Sequence, residues 1–241
     1  MTTKQKPVFK RILLKISGEA LSGEGASGVE LAALSSLIRP VADILALDVE
    51  VGIVIGGGNF LRGETLTKTG IDRVTCDHMG MMATVMNGLV LREIFSKQKI
   101  PAVLMSAIDV PAIAEHYDRF HAVQHLDNKR IVIFAGGTGN PLFSTDSAAS
   151  LRGIEIKADI ILKATKVDGI YSADPKKDKT AKRYHRLTYQ EVLDKRLGIM
   201  DLTAIYLCQA HQMPVRVFDM TSPEILKRII LGSDEGTLMT D

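Results

Sequence analysis

A lysine inside an apolar run is costly to bury unless an anion meets it, and the run Ile12-Leu13-Leu14-Lys15-Ile16-Ser17 contains one. Lys15 is therefore the first candidate for chemistry, as the cation facing an anionic ligand. An edge-strand lysine reaching out to water is the competing reading. Ser17 and Gly18 follow it directly, and two other β-branched runs end in small residues: Gly56-Gly57-Gly58-Asn59, and the GGTGNP segment Gly136 to Pro141. Glycine belongs where backbone amides approach phosphate oxygens, because a side chain would hold them away. Loops of this kind after three strands point to a shared phosphate-binding rim, against tight turns that bind nothing. Arg62 follows the triple glycine closely, and its planar fork suits phosphate.

The acids sort less cleanly. Asp146 follows Ser144-Thr145 at the start of a helical stretch, where it either caps the helix or sits at the transferred group, orienting Lys15 or holding magnesium. Asp77 opens the stretch DHMGMM, where an acid caps amides or accepts hydrogen bonds from hydroxyls. Asp201 begins another helix, as a cap or as a neighbour of a magnesium site. Tyr171, after a turn, stacks on a base or packs a hairpin. Such parts suit phosphoryl transfer, which needs cations on the moving group, a metal between donor phosphates, and groups that hold both reactants in line. If the acceptor is itself a phosphate, no hydroxyl proton has to leave and no general base is required.

Several chemistries are excluded. There is no G-x-x-x-x-G-K-[ST], no H-R-D and no D-F-G. Gly23 to Gly28 matches G-x-G-x-x-G, but six residues separate Ile16 from Gly23, so the first glycine closes no strand and the segment reads as a flexible excursion. Cys76 and Cys208 have no partner at metal-ligand spacing and read as reduced packing residues. A net charge of +2 gives no reason to expect a nucleic-acid partner. No apolar run approaches the roughly 18 residues of a membrane span, so a cytoplasmic, unanchored protein is expected.

The elements that must position these residues are strands alternating with helices. Strands are expected at Arg11 to Ile16, Glu50 to Ile55, Ala102 to Met105, Arg130 to Ala135, Asp159 to Ala164 and Val215 to Phe218. Helices are expected at Leu31 to Leu47, His78 to Phe95, Tyr189 to Leu197 and Leu202 to His211, with Met79, Met82 and Met86 as a buried stripe. The alternation predicts an α/β fold, a three-layer αβα sandwich around a mostly parallel sheet. With no Pro/Ser-rich linker, residues 1–241 read as one domain. Val167 to Arg186 reads as an ordered turn followed by an exposed basic loop, with Lys176 to Arg183 expected to be disordered without ATP.

Together the segments KRILLKISGEAL, VGIVIGGGNFLRG, DHMGMMATVMNGL, GTGNPLFSTDSAASLRGIEI and ADIILKATKVDGIYSADP resemble the bacterial uridylate kinases of the amino-acid kinase family, from Lys10 to Thr240. The resemblance implies the amino-acid kinase fold, with residues 1–158 binding the acceptor and residues 159–241 binding ATP. It implies transfer of the γ-phosphoryl group of ATP to UMP, giving UDP and ADP for pyrimidine biosynthesis, with Mg2+ carried by the ATP phosphates. Lys15, Ile16, Ser17 and Gly18 would contact those phosphates beside Gly58 and Arg62, while Thr165, Tyr171 and Asp174 would form the adenosine pocket. Gly57 and Asp77 would hold UMP, and the run Thr138, Gly139, Asn140, Pro141, Leu142, Phe143, Ser144 and Thr145 would wrap it. Lys15, Arg62 and Asp146 would carry the transfer.

The resemblance also implies a homohexamer, with the methionine-bearing helix at a subunit contact. Members are often inhibited by UTP and activated by GTP. Of the basic side chains that form a GTP site in some relatives Arg130 is present, whereas Ser96 and Val103 stand where a cation is expected. Two other readings stay open: a sister branch phosphorylating carbamate or an amino-acid carboxylate, and a nucleotide or oxyanion binder without turnover.

Overall fold

Period-2 alternation in the first strand divides the molecule into its layers. In the computed structural model, which describes residues 6–22, 27–61, 70–175 and 177–241, β1 (Arg11–Ile16) turns Ile12, Leu14 and Ile16 into one core and Leu13 into another. Both cores are fully dry around this strand, and burying each such side chain contributes about 1.5–3 kcal/mol. Because both faces are covered, β1 reads as a continuous apolar run rather than an alternating one.

The remaining elements follow in order: α1 (Leu31–Leu45), β2 (Glu50–Ile55), α2 (Arg73–Lys97), β3 (Ala102–Ser106), β4 (Glu115–His116), α3 (Arg119–Asp127), β5 (Ile131–Ala135), α4 (Thr145–Glu155) and β6 (Ile160–Thr165). Then come β7 (Ile170–Tyr171), β8 (Arg183–Tyr184), β9 (Arg186–Leu187), α5 (Tyr189–Asp194), α6 (Leu202–Ala210), β10 (Val215–Asp219), α7 (Pro223–Ile230) and β11 (Thr237–Met239). Nine strands form one sheet in the order β4-β3-β5-β2-β1-β6-β10-β11-β9, parallel except for the β10–β11 pair. Helices α1, α2 and α7 cover one face, and α3, α4, α5 and α6 cover the other. The expected three-layer sandwich is present. The chain leaves β1 toward β2 on one side and returns to β6 on the other, so the carboxyl end of β1 is the switch point where such sheets bind ligands.

Three expectations need correction. The long helix begins at Arg73, five residues before His78, because Asp72 accepts from the Val74 and Thr75 amides at 2.9 and 3.2 Å. Its buried face is not the methionine stripe: Met82 and Met86 are 46% and 47% exposed, while Thr84, Asn87 and Gly88 face inward with Leu91 and Phe95. Hydropathy misplaced that face because the helix buries small and polar residues whose hydrogen bonds are met by loops. Finally, the stretch after Val167, expected as an ordered turn followed by an exposed loop, holds a further element: β7 and β8 form an antiparallel hairpin, closed by Ser172 N donating to Lys182 O at 3.0 Å. Both cysteines are buried and free, and burial pushes the Cys208 thiol up to about 11. Among the described residues no helix is long and apolar enough to cross a membrane.

Candidate active site

The alternation that buries Leu13 on the α4 face of the sheet sends Lys15 to the same face, at the carboxyl end of β1. Its register partner on the neighbouring strand β6 is Lys163. Two ammonium groups thus stand side by side, and Asp146 in the first turn of α4 lies between them. Lys15 Nζ is 2.8 Å from Oδ1 and Lys163 Nζ is 2.7 Å from Oδ2, with all three side chains at most 15% exposed. Lys163 also donates to the Ile199 carbonyl. Burial alone would raise the Asp146 pKa, but Lys15 and then Lys163 overcome it and hold the carboxyl below its usual range. Burial lowers the Lys163 pKa, and the charge of Lys15 adds to that against the pull of Asp146.

Asp146 does not cap its helix. Ser144 does, accepting from the Asp146 and Ser147 amides at 2.9 and 3.2 Å. Asp201 caps α6 through the Ala204 amide at 3.0 Å and also accepts from Ser144 Oγ and Ser147 Oγ, tying the starts of α4 and α6 together. Lys163 is the residue that sequence reasoning missed. The signal was there, since IILKAT interrupts an apolar run with a lysine just as ILLKIS does.

The glycine loops meet the site from the opposite face. Gly18 opens a short 3-10 turn, Gly18–Ala20, and the β1 and β2 ends are stitched by Gly56 N donating to Ile16 O at 2.9 Å. A Cβ on Gly18 would stand 2.6 Å from Gly58 N and 2.8 Å from Gly56 O, so the two loops touch backbone to backbone. Ser17 opens with Thr165 onto a cavity of about 390 Å³ beside α1. Arg62 lies outside the described residues, as do Gly23 to Ala26; Gly28 donates its amide to Asn59 O at 2.9 Å.

One face of α2 holds both the second and the third loop. Asn87 donates to Gly56 O at 2.7 Å and pairs reciprocally with Asn59, at 2.7 and 3.0 Å, both amides being buried. One turn earlier Thr84 Oγ1 accepts from Gly136 N at 2.7 Å. Two turns earlier still, Asp77 accepts from Leu142 N at 2.8 Å and from Arg73 Nε at 2.9 Å. Asp77 therefore lies inside the helix, on the loop-facing side, and not at its start. The Asn87 and Thr84 bonds are buried, so removing either one leaves a buried donor or acceptor orphaned. Asn87→Ala is expected to lower kcat about tenfold with a loss of about 1–3 kcal/mol in stability, measured by steady-state kinetics beside urea unfolding. An unchanged kcat would show that loop 56–59 keeps its place without the amide.

The loops and α2 enclose a cavity of about 320 Å³, lined by Gly57, Gly58, Asp77, Gly137, Phe143, Ser144 and Thr145 among others. Thr138 turns the third loop through its own hydroxyl, at 3.1 and 3.2 Å from Asn140, with Gly139 N on Gly136 O; Pro141 leads to the exposed Leu142 at φ 71°. On the other side of the lysine pair a second cavity of about 650 Å³ is lined by Lys163, Thr165, Tyr171 and Asp174 together with Arg196 and Gly198. Tyr171 donates to Asp168 at 2.6 Å, and the Asp174 carboxylate lies 3.9 Å from Lys177. Lys163 thus lines the second cavity, while Ser144 and Thr145, which lead into Asp146, line the first.

Among the described residues no group of three histidines, cysteines or acids is placed to hold a metal ion. Each Asp146 oxygen already faces an ammonium, although Oδ1 has no aligned hydrogen bond.

Paired cations on neighbouring strands with a carboxylate between them, at the switch point of a doubly wound sheet and near two cavities, are the parts that phosphoryl transfer between two substrates requires. The chain belongs to the amino acid kinase family, whose model matches residues 10–219. It is 54% identical over 240 residues to a uridylate kinase of Ectopseudomonas mendocina, covering 100% of this chain and 97% of that protein. A uridylate kinase of Marinobacter nauticus is 56% identical over 238 residues, covering 99% and 98%. The crystal structure of UMP kinase from Bacillus anthracis superposes with a TM-score of 0.94 at 40% identity, covering 97% of this chain and 96% of that one.

Proposed function

We propose that this chain is a cytoplasmic UMP kinase that transfers the γ-phosphoryl group of MgATP to UMP, yielding UDP and ADP. The observation that carries the reading is the Lys15–Asp146–Lys163 cluster, whose Lys163 lines one cavity and whose Asp146 directly follows Ser144 and Thr145 of the other. UMP occupies the cavity of residues 57–145, within the part spanning 1–158, with Asp77 toward the ribose and the run Thr138 to Thr145 around the base and phosphate. ATP occupies the cavity of residues 163–217, within the part spanning 159–241, with adenosine near Thr165, Tyr171 and Asp174. Its phosphates run to Lys15, Ile16, Ser17, Gly18 and Gly58, and Arg62 joins them there.

Mg2+ enters as part of the donor substrate, where it offsets charge on the ATP phosphates. Lys15 and Lys163 meet the negative charge of the transferring group, and Asp146 keeps the two ammoniums apart and aimed. The acceptor atom is already a phosphate oxygen, so no residue has to remove a proton.

The finer reading is a homohexamer inhibited by UTP and activated by GTP. The exposed Val74, Met82 and Met86 on α2 support self-association. A cavity of about 420 Å³ with Arg92 and Arg130 in its wall supports an effector anion. Sedimentation and initial rates with added GTP or UTP test both.

The primary test is a coupled ADP-release assay with MgATP and each of UMP, CMP, AMP, carbamate and N-acetylglutamate. Turnover with UMP well above all others is expected. Turnover on carbamate or the amino acid would move the chain to a sister branch, and nucleotide binding without turnover would leave a sensor.

A further inference from the structure

The hairpin β7–β8 carries Tyr171 and leads to Asp174, yet it pairs with no strand of the main sheet. A two-stranded hairpin alone is marginal in water, so something must hold it. Ile170 packs into the core and Arg183 pairs with Asp168, and between the two strands sits one hydroxyl of β11. Thr237, on β11, is completely buried; its Oγ1 accepts from Ile170 N at 2.9 Å and donates to Tyr184 O. Ile170 and Tyr184 are register partners, so a single side chain grips both strands of the hairpin at its base. Gly169 packs against the same atom, where a Cβ would come within 2.5 Å of Thr237 Oγ1. Thr237 is itself fixed in the sheet, opposite Val217 of β10, whose other edge pairs with β6 and places Val217 beside Lys163.

We infer that Thr237 is a positioning residue for the phosphoryl donor: its hydroxyl fixes the donor-side hairpin to the sheet that carries Lys163. The inference rests on the assignment of the 163–217 cavity to ATP. Thr237 bonds Ile170 and abuts Gly169, both in the wall of the donor cavity, and its hydroxyl bonds neither Lys15 nor Asp146, so its loss acts on donor binding and not on the transfer step. Valine keeps the shape and removes the hydroxyl, leaving the Ile170 amide and the Tyr184 carbonyl without their partner.

The experiment is steady-state kinetics on full-length Thr237→Val, Thr237→Ser and Gly169→Ala, with Tyr171→Ala as the control for the donor site. Thr237→Val is expected to raise KM for MgATP about tenfold while kcat and KM for UMP stay within about twofold. Thr237→Ser restores the parent value, and Gly169→Ala, which presses on the same hydroxyl, reproduces the defect if the valine variant does not fold. Unchanged KM for MgATP in Thr237→Val and Gly169→Ala, with Tyr171→Ala impaired, would overturn the inference and leave the donor site standing. An equal fall in kcat and in affinity for both substrates would reduce Thr237 to a fold-stabilising residue. A Tyr171→Ala enzyme with parental KM for MgATP would remove the donor-site assignment and the inference with it.

Discussion

Asp146→Asn is expected to lower kcat by about 10²- to 10³-fold, the scale seen when one preorganised electrostatic group is lost from a site of transferring charge. The carboxylate now faces Lys15 at 2.8 Å and Lys163 at 2.7 Å, on register-paired residues of β1 and β6. An amide has one oxygen to accept with and no charge, so one ammonium loses its partner and the two repel across a buried gap. KM values for both nucleotides should move much less than kcat, since neither cavity is reshaped. The pH dependence of stability gives an independent check. Asp146 has its folded pKa lowered, so its contribution is present above the unfolded carboxylate pKa and is lost as pH falls through the folded one. Asparagine abolishes that acid-side dependence and leaves the variant less stable at neutral pH, as urea titrations at neutral and acid pH would record. A kcat within about threefold of the parent would remove Asp146 from the transfer step.

Gly18→Ala is the second large effect, and it acts through space instead of charge. The added methyl would lie 2.6 Å from Gly58 N and 2.8 Å from Gly56 O, and neither backbone atom can swing aside as a side-chain end would. The β1 and β2 loops must part by several tenths of an ångström, against the bond from Gly56 N to Ile16 O. Misplacement on the order of 1 Å at a transfer site costs about 10²-fold in rate, and overpacking costs about 1–3 kcal/mol in stability. The expected result is kcat/KM for MgATP down by about 10²-fold in a protein that still unfolds cooperatively. Parental kinetics would mean that the two loops adjust freely and that the rim is not set by this contact.

The central strands were legible because each is a buried β-branched run between turn residues, and burial on both faces leaves little else such a run can be. The strands that escaped notice, β4, β7, β8, β9 and β11, have two or three residues each, too short for any period to appear. Lys15 was legible as a cation needing an anion, and the structure supplies Asp146. What the sequence left open was whether Asp146 caps α4 or serves the transferred group; Ser144 caps it instead, since serine accepts from helix amides as aspartate does. The same ambiguity made Asp77 look like a helix start when Asp72 fills that role. The inward face of α2 stayed hidden for a different reason. Thr84 and Asn87 are buried by virtue of hydrogen bonds to loops distant in sequence, and no local pattern encodes those partners.

The placement of β1 between β2 and β6 has a consequence for biosynthesis. The strand that bears Lys15 is made before both of its neighbours, and one of its hydrogen-bonding edges has no occupant until β6 follows, long after β2 is available for the other. Between the synthesis of β2 and that of β6 the nascent chain therefore carries an open, apolar edge beside an unpaired lysine. That ammonium, facing water until Asp146 and β6 arrive, guards the edge against pairing with strands of other chains, as charged residues do on natural sheet edges. The residue proposed to meet phosphate in the finished enzyme is thus also a safeguard while the enzyme is being made.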